Sequence, residues 1–233
     1  MTKIGIMQPY FLPYLGYWQL INHVDKFVLY DTIQYTKKGW ITRNRYLLNG
    51  KDEMFSLSVK RASSDLDVAE RELADDFDRE KLLRSLKGAY SKAPYFKENF
   101  SLIEDIIKAT ENNLFFYIEQ SIYKICKALN ITTPILKSSD LKQCSRDLKG
   151  KDRVIDICKA LGAKDYINPI GGIELYNKDE FEAEGIDLKF MRSLPMAYSC
   201  FGQECIPHMS ILDLMMFNSL DQIKASINNF SLE

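Results

Sequence analysis

Apolar residues along the chain follow two rhythms. Ile4-Gly5-Ile6-Met7 and Phe27-Val28-Leu29-Tyr30 are short continuous runs, the pattern of strands buried on both faces. Between them Tyr17, Leu20, Ile21 and Val24 recur at three-and-four spacing, which predicts a short amphipathic helix. Strand, helix and strand by residue 30 make a βαβ unit, so a parallel sheet with a right-handed crossover is expected. Such sheets bind ligands beyond the carboxyl ends of their strands. Gln8-Pro9-Tyr10 and Asp31-Thr32 each follow a strand directly and should therefore share one edge.

The rest of the chain extends this pattern. Tyr46-Leu47-Leu48 leads into Asn49-Gly50, a hairpin signal, with residues 54–59 as the returning strand. Residues 65–74 read as a loop or weak helix. Helical spacing dominates 79–93, closed by Pro94, then 96–110 and 114–129. A strand over 131–138, broken by Pro134, precedes a polar stretch over 139–151. A helix over 152–161 ends at Gly162, in the place of a C-cap glycine. Tyr166-Ile167-Asn168 is a strand that runs into the turn Pro169-Ile170-Gly171-Gly172, where backbone can approach a ligand closely. A helix over 181–185, a strand over 186–190 and a final helix capped by Ser210 follow, with Asp213 three residues on as in a capping box. With no repeat and no Pro/Gly/Ser-rich linker, the chain reads as a single α/β domain over 1–233. The middle, about 79–130, forms a helical subdomain.

Charge removes several function classes. Thirty-one basic residues against thirty-two acidic give a net charge of -1, so no global field favours nucleic acid or an anionic membrane. No run of about 18 apolar residues occurs, and the N-terminus lacks a basic region followed by an apolar one. Neither export nor a membrane span is expected, and the location inferred is cytoplasmic. Cys126, Cys144, Cys158, Cys200 and Cys205 form an odd set without CxxC spacing, which argues against a disulfide framework and a Cys-rich zinc site. Two histidines, His23 and His208, are too few for a histidine-rich metal centre. No metal is predicted.

Candidate chemistry concentrates in residues 4–45. Pro9 and Pro13 stiffen a loop that presents Tyr10, Phe11 and Tyr14 before Gly16 allows the turn into the helix. Downstream, Gln34, Lys37, Lys38, Trp40, Arg43, Asn44 and Arg45 cluster around Gly39. Arginine offers a planar fork for phosphate and tryptophan a stacking face, so this segment is a candidate anion-binding surface. A charged loop is equally the ordinary composition of a solvated face. Asp65-Leu66-Asp67 has the form of a DxD metal motif. It sits in a polar loop away from any strong strand, which disfavours a glycosyltransferase.

Two resemblances gather these features. The block IMQPYFLPYLGYWQLI, with FVLYD, KKGWITRNR, AYSKAPYF, YINPIGG and the terminal Tyr198, Gln203, Pro207 and Ser210-Ile211-Leu212-Asp213, resembles the WbqC-like family of bacteria along nearly the whole chain. Members of that family occur in gene clusters for O-antigen and other surface polysaccharides. The resemblance implies acylation or aminoacylation of an amino sugar carried on a nucleotide. The order of strand, Phe11-x-Pro13-x-x-Gly16-Tyr17, helix and strand is also similar to nucleotidyltransferases and related ligases with a His-x-Gly-His loop, which implies a Rossmann-like core. In those proteins the loop and helix N-terminus hold nucleotide phosphates. Here Tyr14 and Tyr17 stand at the histidine positions, so Lys37, Lys38, Arg43 and Arg45 would have to supply the charge.

On this reading Gln8, Tyr10 and Gly16 form one wall of a substrate site. Asp31, Gln34, Trp40, Arg43 and Arg45 form another, with Tyr17, Lys38, Asn44 and Gln203 as further substrate-binding candidates. Asp31 and His208 are candidate bases for deprotonating the sugar ammonium. Gln8, Gln34 and Asn44 are candidate oxyanion or hydroxyl ligands. His23, inside the first helix, is expected to be structural. Cys200 and Cys205 flank Gln203 and offer a thiol nucleophile, against the usual buried packing role of free cysteines. The donor stays open between ATP, acyl-CoA and an aminoacyl donor, and so does a homo-oligomer. The competing class is a non-catalytic sugar-nucleotide or glycan binding module.

Overall fold

The two apolar runs at the start of the chain become adjacent central strands of a doubly wound sheet. The structure is a computed structural model and describes residues 2–233. Strand β1 (Lys3–Met7), helix α1 (Leu15–His23) and strand β2 (Lys26–Leu29) form the expected βαβ unit, with Gly5 opposite Phe27 in parallel register. A hairpin follows, β3 (Arg43–Leu48) and β4 (Lys51–Ser56). Its return strand pairs directly after Asn49-Gly50, earlier than the expected start at Met54, with Leu48 opposite Lys51. Both turn residues have positive φ, +52° and +77°, as a two-residue hairpin that matches the strand twist requires.

Helices α2 (Arg79–Tyr90), α3 (Phe96–Ile107) and α4 (Leu114–Ala128) occupy the middle of the chain. Asp78 caps α2 by accepting from the Lys81 amide at 2.8 Å, and Asn113 caps α4 through the Phe116 amide at 3.1 Å. The chain then returns to the sheet through β5 (Ile135–Lys137), α5 (Gly150–Ala160), β6 (Asp165–Pro169), α6 (Lys178–Glu182) and β7 (Asp187–Ser193). The expected strand over 131–138 starts only after Pro134, whose carbonyl accepts from the Phe27 amide at 2.9 Å. A small hairpin, β8 (Ser199–Cys200) and β9 (Gln203–Glu204), precedes α7 (Ile211–Phe217), α8 (Leu220–Ser226) and the edge strand β10 (Phe230–Leu232).

The six-stranded order is β10-β7-β6-β1-β2-β5, parallel except for β10 against β7. The chain builds outward from β1 through β2 to β5, then crosses back to β6 and builds outward on the other side. The reversal lies between β1 and β6, and a crevice opens there at the carboxyl ends of the strands. Side chains alternate across the sheet. Phe27, Leu29 and Ile167 join α1, α7 and the helices α2 to α4 in one core. Ile4, Ile6, Val28 and Tyr166 join α5 and α6 in the other. Fully buried Tyr17, Trp18 and Phe27 each contribute roughly 2–3 kcal/mol by leaving water. Gly5 has no room for a side chain to spare: an added Cβ would lie 3.3 Å from Leu20 and Phe27.

The expected capping box at Ser210 is half formed. Ser210 accepts from the Leu212 amide at 3.2 Å, but Asp213 turns inward and accepts from the hydroxyls of Tyr90 and Tyr198, each at 2.7 Å. A buried carboxylate gains more from two hydroxyl donors than from closing a cap at the surface. Burial nevertheless raises its pKa against the lowering pull of both tyrosines.

Candidate functional site

The proline loop between β1 and α1 is fixed on every side. Phe11 donates its amide to the Ile41 carbonyl at 3.1 Å, Asn44 donates to the carbonyls of Phe11 and Leu12 at 3.2 and 2.7 Å, and Ser210 donates to Leu12 at 2.7 Å. Trp18 donates to Pro13 at 3.1 Å, and the buried Tyr17 hydroxyl donates to Gln8 at 2.9 Å. These bonds hold Leu12 at φ +46°, a strained value for leucine. Tyr10 and Tyr14 are thereby presented without local freedom, and burial raises the pKa of both phenols.

Gly16 has a specific task. A Cβ there would lie 2.5 Å from the Tyr14 ring, so the phenol lies across the first turn of α1. The helix end that cradles phosphate in His-x-Gly-His proteins is covered by an aromatic ring in this chain.

A cleft of about 820 Å³ opens at the β1/β6 reversal. Its floor is Met7 at the end of β1 and Gln8 directly after it, Tyr30 and Thr32 after β2, and Asn168 and Pro169 from β6. Asn168 is buried, accepts from Tyr166 at 3.1 Å and lies so close to Gly172 that a Cβ there would clash with its amide nitrogen at 2.1 Å. The Gly171-Gly172 turn is thus shaped around Asn168 and lines the cleft.

The two side walls carry opposite charge. Arg146, Lys149 and Gly150 at the start of α5 form one, and Asp65, Asp67 and Gln34 the other. Neither Arg146 nor Lys149 has a carboxylate partner among the described residues. Their loop is held by Arg153, a buried guanidinium that donates to the Ser145 carbonyl at 2.7 Å and to Asp156 at 3.3 Å, while Asp156 accepts from the Ser145 amide at 2.8 Å. The acidic wall is pinned by backbone: Val68 to Ile33 at 2.9 Å, Ala69 to Asp31 at 3.1 Å and Tyr35 to Leu66 at 3.2 Å. Asp67 caps the 3-10 turn over Val68–Glu70. Burial, then Glu70 and Asp31, raise its pKa, and Arg146 and Lys149 pull it back only in part.

Of the expected site residues, Gln8, Tyr10 and Gln34 line this cleft, joined by Tyr14, Thr32, Asp65, Asp67 and the Gly171-Gly172 turn, which the sequence also singled out. The remaining expected site residues lie elsewhere. Asp31 is buried just behind it and accepts from the Ser138 hydroxyl at 2.7 Å and the Ser139 amide at 2.9 Å, joining the ends of β2 and β5. Gly16, Tyr17 and Asn44 support the loop from within. Arg45 is spent on Asp52 at 3.0 Å and on the carbonyls of Pro207 and His208 at 3.3 and 3.0 Å. Arg43 reaches the Gly39 carbonyl at 3.4 Å, Lys38 is exposed, and Trp40 is 48% exposed outside the cleft. Gln203 sits on the β8–β9 hairpin beside Gly50. His23 packs edge-on against Phe230 at 4.8 Å.

His208 lines a second cavity of about 330 Å³, together with Met196, Tyr198, Cys205 and Met209. Tyr14 borders both cavities, and its ring meets His208 edge-on at 5.6 Å. Cys200 and Cys205 form a disulfide, which corrects the thiol-nucleophile reading, since neither sulfur is free. Cys126, Cys144 and Cys158 are buried free thiols, and burial pushes Cys126 up to about 12. Among the described residues, the cluster with metal-ligand composition is Cys200, Cys205 and Asp213. There the sulfurs are bonded to each other and the carboxylate already holds two tyrosines. No helix among the described residues is long and apolar enough to cross a membrane.

The residues that sequence reasoning missed, Tyr14 aside, come from far along the chain. Arg146 and Lys149 lie in an aperiodic polar stretch with no signal of their own. Asp65 and Asp67 were visible as a motif, and the bridge between Gln34 and Asp67 brings them to the strand ends.

Comparison with known proteins agrees with the whole-chain character of the motifs. The chain is 29% identical over 171 residues to a protein of Mycobacterium tuberculosis (strain ATCC 25618 / H37Rv) known as the uncharacterized protein Rv1507c, covering 72% of each. The model of the WbqC-like protein family matches residues 8–225, from the glutamine at the cleft floor to the last helix. The chain belongs to the WbqC-like protein family.

Proposed function

We propose that the strand-end cleft binds a nucleotide-linked amino sugar and that the protein acylates or aminoacylates its amino group during surface-polysaccharide assembly, such as that of O-antigen, in the cytoplasm. The observation that carries this reading is the pair Arg146 and Lys149, cations without an ion-pair partner among the described residues, in a cleft at the sheet's reversal point. Arginine's planar fork suits a diphosphate. Tyr10 and Tyr14 supply rigid aromatic faces for base or sugar, and Gln8 and Gln34 supply amides for hydroxyls or a developing oxyanion. The donor is an acyl-CoA, an aminoacyl donor, or an amino acid activated with ATP. Amide formation joins the amine nitrogen to the donor's acyl carbon, expels the donor's leaving group, and requires the ammonium to lose a proton first.

Mass spectrometry tests this directly. The protein is incubated with UDP- or dTDP-linked amino sugars and each donor class, and the reading expects a mass gain equal to one acyl or aminoacyl group. The competing reading, a binding module, is favoured by one observation: among the described residues no histidine or cysteine lines the cleft. Saturable binding with no mass gain under any donor would decide for it.

A further inference from the structure

The cleft's two walls differ in sign, and the acidic one, though Asp67 caps the turn at Val68–Glu70 and Asp65 accepts from the hydroxyls of Ser63 and Ser64 at 3.3 and 3.4 Å, carries no ion pair to a cation among the described residues. Asp65 and Asp67 face the cavity that Arg146 and Lys149 face from the other side. Asp67 is held in place on both sides: Gln34 and Asp67 form an antiparallel bridge, and the Glu70 carboxylate accepts from the Asp67 amide at 2.9 Å. The two aspartates belong to no cluster of three metal-ligating side chains among the described residues. A monovalent organic cation fits such a wall better than a coordinated ion.

Resting on the reading of the cleft as a nucleotide-sugar site, we propose that Asp67 receives the substrate's ammonium while Arg146 and Lys149 hold its diphosphate, so that the cleft selects a zwitterion: a sugar with a free amine at one end and phosphate at the other. A carboxylate and an ammonium in a partly dewatered cleft attract more strongly than in bulk water. A neutral hydroxyl at the same sugar position leaves the carboxylate without its counter-charge, and a site built around a charged donor discriminates sharply against a ligand lacking it. The same contact provides a route for the proton. Transfer from R–NH3+ to the Asp67 carboxylate leaves R–NH2 with a free electron pair and Asp67 as the neutral acid. The groups facing Asp67 are Glu70 and Asp31, which favour its protonated form, and Arg146 and Lys149, which oppose it; burial adds to the former, and the raised pKa supports this assignment.

The test compares two ligands that differ only in amine against hydroxyl, UDP-glucosamine and UDP-glucose, by calorimetric titration of the full chain at neutral pH. The wild-type protein is expected to bind the amine at least about tenfold more tightly, the scale of one charge-assisted contact. Asp67→Asn keeps an oxygen able to cap the turn at Val68 and is expected to bring the ratio near one. Circular dichroism melting of Asp67→Asn controls for folding, and Asp67→Glu, which keeps the charge, should retain part of the selectivity. A ratio unchanged in a folded Asp67→Asn overturns the inference while leaving the nucleotide-sugar reading intact. Selectivity that appears only with added Mg2+ overturns it in favour of a metal. If neither ligand binds the wild-type protein, the reading of the cleft fails and the inference with it.

Discussion

Two basic segments of this protein look alike in sequence and differ in use. Residues 37–45 carry Lys37, Lys38, Arg43 and Arg45 around a tryptophan, the densest cationic stretch near the first strands. Yet Arg45 is tied to Asp52 and two carbonyls, Arg43 reaches Gly39, and Lys38 and Trp40 face solvent outside the cleft. Residues 146–149 carry only two cations, and both line the cleft without an ion-pair partner among the described residues. Local charge density marks a candidate, whereas sheet topology decides which cations meet at a site. The sparse segment arrives at the reversal point because the crossover from β5 through α5 to β6 must pass there.

The largest effects are expected at the sparse segment. Arg146→Ala with Lys149→Ala is expected to weaken nucleotide-sugar binding about 150-fold, about 3 kcal/mol, the sum of two charge-assisted contacts of roughly 1.5 kcal/mol each. The binding constant should also lose much of its salt dependence, read by titration at two ionic strengths. Arg153→Ala removes the buried anchor of the same loop. It should cost about tenfold in affinity and about 2–3 kcal/mol in stability by denaturant unfolding, because Ser145 and Asp156 lose a buried partner.

Acidification gives a smaller effect with a defined sign. Asp67's pKa is raised, so its carboxylate takes up a proton earlier on the way down than an ordinary aspartate. Preference for the amine over the hydroxyl ligand should therefore be full at neutral pH and shrink severalfold as pH falls through that raised value. The smallest effects belong to the dense segment. Arg45→Ala should lower stability by about 1 kcal/mol through its lost ion pair and carbonyl contacts and leave affinity within about twofold, the span of a negligible 0.4 kcal/mol. Lys38→Ala should change neither by more than that.

The fold was largely legible because its signals are local. Two apolar runs around a helical stripe specify a βαβ unit, and Asn49-Gly50 specifies a two-residue hairpin. What escaped was short or paired late: β8 and β9 have two residues each, and β10 joins the sheet only by pairing antiparallel with β7. Asp213 escaped because a capping box and a buried tyrosine contact place an acid at the same spacing after a serine, and only packing against Tyr90 and Tyr198 separates them. In the site, Gln8 and Tyr10 were readable because they directly follow a strand. Tyr14 was readable as an aromatic of the proline loop and as a departure from a histidine pattern, and the close approach of Gly16 to its ring explains the glycine. Arg146 and Lys149 were not readable, since nothing periodic marks a loop whose meaning comes from a crossover.

A crystal structure of the protein with a bound nucleotide-linked amino sugar should show the diphosphate within hydrogen-bond distance of Arg146 and Lys149, with the sugar between Gln8 and Asp67. A diphosphate resting on Lys38, Arg43 or Arg45, with the β1/β6 cleft empty of ligand, would contradict this assignment.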